Sequence, residues 1–135
     1  MEVVKTELEG VLLIKPEIFK EHRGEYIELY NEDLYSRNGI TTKFIQDDIS
    51  VSVKNVLRGI HGDNKTWKLV SCLLGKFYLV IVNCYESSQN FGKWQSFMLS
   101  DVNRYQVLVP PNHGVAHCAL TGEIIFYYKQ STYYD

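Results

Sequence analysis

The sequence is poor in residues that mark a special environment. Its three cysteines, Cys72, Cys84 and Cys118, are an odd number, and none belongs to a C-x-x-C pair. That excludes a disulfide framework and a cysteine-based zinc cluster, and it predicts reduced thiols, mostly in the core. Only three prolines occur, and the nine glycines are scattered as punctuation rather than gathered into a linker. Long apolar runs are missing as well. The longest, residues 77–82, falls far short of the roughly 20 residues that a bilayer-crossing helix needs. The first ten residues, MEVVKTELEG, carry acids where a signal peptide carries a basic patch and an apolar stretch. A cytoplasmic, soluble protein is expected. There is no surplus of positive charge: 14 Lys and Arg against 16 Asp and Glu leave −2, too little to neutralise a nucleic-acid backbone. No G-x-S-x-G elbow, P-loop or dinucleotide fingerprint occurs, and no cysteine has a charged neighbour to activate it.

What is present fits one globular unit over residues 1–135. Apolar residues make up 45% and charged residues 22%, which excludes disorder. Ten of the aromatic residues are Tyr, whose apolar body and polar tip suit strands and polar ligand pockets. Short segments rich in β-branched and aromatic residues recur at 11–14, 26–30, 42–46, 50–57, 67–74, 77–83, 94–99, 105–109, 115–120 and 124–128. Tight turns are expected around Gly75 and at Thr121-Gly122. Only residues 31–38 read as a helix. Many short strands with regular turn signals predict an all-β antiparallel sandwich or jelly-roll barrel, whose mouth commonly holds a ligand.

Candidate chemistry then rests on polar residues that interrupt apolar strands. Arg58 and His61 both interrupt the segment at 56–61. Regular alternation would send them to opposite faces, although Gly59 between them permits a bulge that aims both at one pocket. An exposed strand end with a solvated Arg and His is the equal alternative. His117 has small apolar neighbours and reads first as a core histidine. His113 follows two prolines and reads as exposed, as does His22. A His61–Asp63–His117 metal site is a further alternative, without the two-His spacing usual in metal-binding barrels. Lys68 interrupts 67–70, where a solvated stem is the default. What remains is acid–base chemistry by His, Tyr and Lys, with Arg for an anion.

Seven segments in order resemble the dTDP-4-dehydrorhamnose 3,5-epimerase family. They are 19–28 (FKEHRGEYIE), 44–48 (FIQDD), 56–61 (VLRGIH), 67–70 (WKLV), 90–94 (NFGKW), 110–117 (PPNHGVAH) and 127–129 (YYK) with Tyr133-Tyr134. The resemblance implies a cupin jelly-roll barrel that uses neither metal nor other cofactor. It implies a bacterial surface-polysaccharide enzyme acting on a nucleotide-linked 4-keto sugar, dTDP- or GDP-linked, through an enolate. By resemblance His61 is the base, Tyr128 the acid on the opposite side of the ring, and Lys68 the partner of the developing oxyanion. Arg58 and Arg23 grip the diphosphate, Gln46 and Glu28 contact the nucleotide end, and His117 lies near the sugar. A homodimer is implied, because the strand carrying Arg23 and Glu28 can come from a second subunit.

Two departures stand out. The family's sequences continue past Tyr133-Tyr134 into a segment supplying an Asp to the catalytic His, whereas this sequence ends at Asp135. Asp48, Asp63 and Asp135 are the candidate substitutes, with Asp48 also placed at the substrate. The 61–68 stretch is short, as in relatives acting on GDP-linked 4-keto heptoses. A 3,4-ketoisomerase on the same barrel and a non-catalytic sugar-nucleotide binder are the alternative functions.

Overall fold

Residues 1–134 are described by the structure, a computed structural model. Twelve strands and one short helix succeed one another in chain order: β1 (Glu2–Lys5), β2 (Leu12–Lys15), β3 (Ile18–Glu21), β4 (Gly24–Ile27), α1 (Glu32–Arg37), β5 (Gln46–Val53), β6 (Leu57–His61), β7 (Lys68–Leu74), β8 (Lys76–Asn83), β9 (Trp94–Ser100), β10 (Gln106–Val109), β11 (His113–Ala119) and β12 (Glu123–Gln130). Six form one sheet in the order β1-β2-β10-β7-β12-β5, and four form a second in the order β6-β11-β8-β9. Strands β3 and β4 pair only with each other, as a hairpin arm. Every pairing is antiparallel. The all-β jelly-roll expectation is met.

The side-chain period of two decides where the core sits. On β8, Phe77, Leu79 and Ile81 are buried while Lys76 and Tyr78 face out. They meet Val70, Cys72, Val107, Ile124 and Phe126 of the larger sheet, and together these fill the space between the sheets. Fully burying one such side chain contributes about 1.5–3 kcal/mol. Strand β7 is buried on both faces, which is why its sequence reads as a continuous apolar run instead of alternating. Its other face, with Leu69, packs beside Ile14 and Leu108 under Tyr35 of α1 and Ile40. Helix α1 starts where Asn31 Oδ1 accepts from the Leu34 N–H at 3.0 Å, and Asn38 closes it.

Several boundaries differ from expectation. Residues 50–57 are not one strand: Asn55 takes φ +73° and donates to Ala119 O, so the chain turns and separates β5 from β6. Residues 42–45 are not a strand either, because Phe44 is used to cover the second core. The strands β1 and β3 lack a strong sequence pattern since neither is deeply buried. His113 is buried, not exposed, with Nδ1 2.9 Å from Pro111 O. Of the cysteines only Cys72 is buried; Cys118 is half-buried and Cys84 exposed. No helix among the described residues is long and apolar enough to cross a membrane.

Candidate active site

The open end of the barrel holds a cavity of about 510 Å³ between the two sheets. One wall comes from β6, at the edge of the smaller sheet, and presents Arg58 and His61. The other comes from β7 and β12 of the larger sheet, and presents Lys68 and Tyr128. His117, from β11, lies at the base.

A bulge brings Arg58 and His61 to the same side. Opposite Val115 stands His61 and opposite His117 stands Arg58, so three steps on β6 match two on β11. Gly59 makes this possible, with φ +135° and an added Cβ falling 2.6 Å from the Ala116 Cβ. Arg58 then reaches the edge of the other sheet, donating from Nε to Ser52 Oγ at 2.8 Å and from Nη2 to Val51 O at 3.4 Å. The guanidinium is thus held in one orientation by the neighbouring sheet.

Tyr128 pairs with Asp48 across β12 and β5, and Lys68 Nζ lies 5.4 Å from the Tyr128 ring centroid. Burial raises the Tyr128 pKa, and the Asp48 carboxylate and Tyr134 push it further. The phenol therefore keeps its proton through the neutral range. Burial lowers the Lys68 pKa, against the opposing pull of Asp63.

His117 is only 6% exposed and stacks on Phe126, with ring centroids 4.0 Å apart and planes 13° from parallel. Its Nε2 is buried without a hydrogen-bond partner among the described residues. Burial first, then Arg58 and His61, lower its pKa to about 4, so the ring is neutral in the cell's pH range. A core histidine and a cavity histidine turn out to be one residue.

The rim is tied down by Asp63, whose Oδ1 accepts from the Lys65 and Thr66 amides at 2.9 and 2.7 Å. Its Oδ2 accepts from Thr66 Oγ1 at 2.7 Å. Burial works to raise the Asp63 pKa, but these donors, helped by Lys68, bring the net shift downward. Thr66 Oγ1 also meets Thr132 Oγ1 at 2.7 Å, joining the rim to the segment that carries Tyr133 and Tyr134. Asp63 is thereby committed to the turn rather than to His61. Asp48 accepts from Gln46 Nε2 at 2.8 Å, and Gln46 Oε1 accepts from the Tyr134 amide at 3.0 Å. These two residues stand beside the cavity and hold its wall. Asp135 lies outside the described residues. Among the described residues no three His, Cys, Asp or Glu side chains form a group that could hold a metal ion, so the His61–Asp63–His117 alternative is not assembled.

Five of the candidates therefore converge: Arg58, His61, Lys68, His117 and Tyr128. Arg23 and Glu28 do not. Arg23 sits at the tip of the β3–β4 arm, exposed and ion-paired with Glu21. Glu28 lines a separate hollow of about 200 Å³ with Phe19 and Tyr26. Sequence reasoning missed Phe126 and the Asp63–Thr66–Thr132 rim. Phe126 was within reach, being two residues before Tyr128 and so on the same face.

Three comparisons with known proteins bear on this geometry. A sequence model of dTDP-4-dehydrorhamnose 3,5-epimerase matches residues 5–135. The chain is 36% identical over 139 residues to the dTDP-4-dehydrorhamnose 3,5-epimerase of Shigella flexneri, covering 100% of this chain and 77% of that protein. A crystal structure of the Bacillus anthracis enzyme of that name, with TDP and PPi bound, matches with TM-score 0.95 at 32% identity, covering 99% of this chain and 79% of that one. The dTDP-6-deoxy-D-glucose-3,5-epimerase of Legionella pneumophila, in complex with dTDP-4-keto-L-rhamnose, matches with TM-score 0.94 at 33% identity over 99% of this chain and 73% of that one.

Proposed function

The chain belongs to the dTDP-4-dehydrorhamnose 3,5-epimerase family, and from that premise we propose that it inverts C3, C5 or both of a dTDP-linked 4-keto sugar through an enolate. The observation that carries the reading is the placement of His61 and Tyr128 on opposite sheets across one cavity. Inversion needs a base on one face of the sugar ring and an acid on the other. The C4 ketone acidifies the protons on C3 and C5. His61 takes one of them, and the electron pair moves onto O4. Lys68, in the same cavity, stabilises that oxyanion, a contribution of about 3–4 kcal/mol at preorganised sites. Tyr128, kept protonated by burial and Asp48, returns a proton to the opposite face of the same carbon. As that proton arrives, the O4 electron pair re-forms the ketone. Solvent then takes the proton held by His61 and restores the one given by Tyr128, so substrate and enzyme are unchanged in composition.

Arg58, already oriented by Ser52, serves the diphosphate, and the neutral Nε2 of His117 serves a sugar hydroxyl. The position of Arg23 and Glu28 away from this cavity supports a homodimer in which each arm completes the partner's nucleotide site. The apolar side chains left exposed on the arm and on β5 favour the same arrangement, with Phe19, Tyr26, Ile49, Val51 and Val53 all more than 45% exposed. We read residues 1–135 as one cupin domain working in the cytoplasm, on sugars destined for bacterial surface polysaccharide.

The test is solvent exchange. With dTDP-4-keto-6-deoxyglucose in D2O, deuterium should enter at C3, C5 or both, and the carbonyl should stay at C4. His61→Asn should lower the exchange rate about 10²–10⁴-fold, the range of general-base catalysis, with dTDP affinity retained. Exchange at the unaltered rate in that variant overturns the assignment. Movement of the carbonyl to C3 would identify a ketoisomerase instead, and acceptance of a GDP-linked sugar alone would change the nucleotide.

A further inference from the structure

The β3–β4 arm makes few contacts of its own with the barrel, yet two points on it are pinned from one direction. Near its base, Gln106 of β10 is 1% exposed, and its Nε2 donates to Leu29 O at 2.8 Å and to Ser71 Oγ at 3.1 Å. Tyr35 Oη lies 2.6 Å from Gln106 Oε1, closing the network. Near its tip, Arg104 Nη2 lies 3.3 Å from Glu25 Oε1. The Arg104 side chain is only 18% exposed and that of Glu25 32%. Arg104 also donates from Nη1 to Leu73 O at 3.2 Å, so the guanidinium is held by the main sheet.

Arg104 is unusual in its own right. Its backbone is left-handed, with φ +57°, a conformation that costs a non-glycine residue free energy. Its Nε is buried without a partner among the described residues. A residue held with an unsatisfied donor and a strained backbone is being held for its remaining contacts, and the one that leaves the barrel is Glu25. Glu25 is two residues from Arg23 along β4 and its turn.

We propose that the Arg104–Glu25 pair is a clamp that sets the direction of the arm, making both residues positioning residues for Arg23 at the diphosphate. This rests on the reading above that the arm completes a partner's site. Neither residue lines the cavity of the candidate site. The clamp acts by limiting the orientations open to the tip, so that less ordering remains to be done when the anion binds. Its loss therefore appears in KM and not in kcat.

Glu25→Gln is the variant of choice, because it leaves the Arg104–Leu73 bond intact and changes an exposed side chain. KM for the dTDP-linked 4-keto sugar should rise about threefold to fivefold, the range a partly exposed ion pair can supply. The kcat and the melting temperature should stay at wild-type values. Placed on an Arg23→Ala background, Glu25→Gln should raise KM no further, since the residue it positions is gone. The charge reversal Arg104→Glu with Glu25→Arg should recover part of the affinity lost in Arg104→Glu alone. A raised KM in Arg23→Ala with an unchanged KM in Glu25→Gln overturns the clamp and leaves the arm reading standing. An unchanged KM in Arg23→Ala overturns both. Additive effects of Arg23→Ala and Glu25→Gln also overturn the clamp, because they place Glu25 in some other role.

Discussion

His117 shows how packing sets the protonation state of a side chain. Stacked on Phe126 and desolvated, its imidazole is held neutral, with a pKa near 4 against an ordinary 6.5. The unfolded chain then binds a proton between about pH 6.5 and pH 4 that the folded chain refuses. Folding stability contributed by the neutral ring is complete above pH 6.5 and is lost as pH falls towards 4. The loss amounts to at most about 3 kcal/mol, from the free energy per pH unit of one titrating group. Urea denaturation of wild type and His117→Gln at pH 7 and pH 4.5 should show a steeper acid loss for the wild type. Equal pH dependence in the two would mean that the ring titrates normally.

Strand β6 is where backbone geometry turns into a site. An extra residue on one strand of an antiparallel pair rotates the residues beyond it, and here it aligns two side chains that regular alternation would divide. Gly59 carries the cost, since any side chain there meets Ala116 and a positive φ together. Gly59→Ala should lower stability by about 2–4 kcal/mol, summing overpacking and backbone strain, and should lower kcat by more than His117→Gln does. Thermal melts and exchange rates measured on the same samples check both. The sequence around Gly59 left two outcomes equally open, a shared pocket or a solvated strand end. The choice depended on the neighbour: Ala116 crowds the strand from β11, and nothing within 56–61 encodes that contact. Strand ends were less legible for a similar reason. Residues 50–57 have uniform β propensity, and what divides them is the turn at Asn55, whose amide donates to Ala119 O, 64 positions away.

At the scale of the whole molecule, the described residues bring Arg58, His61, Lys68, His117 and Tyr128 to one cavity and hold Arg23 and Glu28 elsewhere. The proposed dimer, with its arms crossed, would reconcile the two. A mixture of His61→Asn and Arg23→Ala subunits then offers a direct check. In a mixed dimer the intact cavity of one subunit meets the intact arm of the other, so roughly a quarter of all sites recover after random reassortment. Activity should rise on mixing two weak preparations, as monitored by deuterium incorporation at low substrate. Sites made by a single chain would give only the average of the two.

Composition and periodicity by themselves determined the class of this protein. Short β-branched and aromatic segments, punctuated by glycine turns, can bury their apolar faces only by stacking as antiparallel sheets, and that depends on local pattern alone. The order of seven short segments likewise determined the family. Tertiary structure alone decided which of those residues meet. It joined Arg58 to His61 through a bulge, set Tyr128 against them from the other sheet, spent Asp63 on its own turn and sent Arg23 out on an arm. Those outcomes depend on contacts between residues distant in the chain, where packing and desolvation act on pairs that no local pattern records.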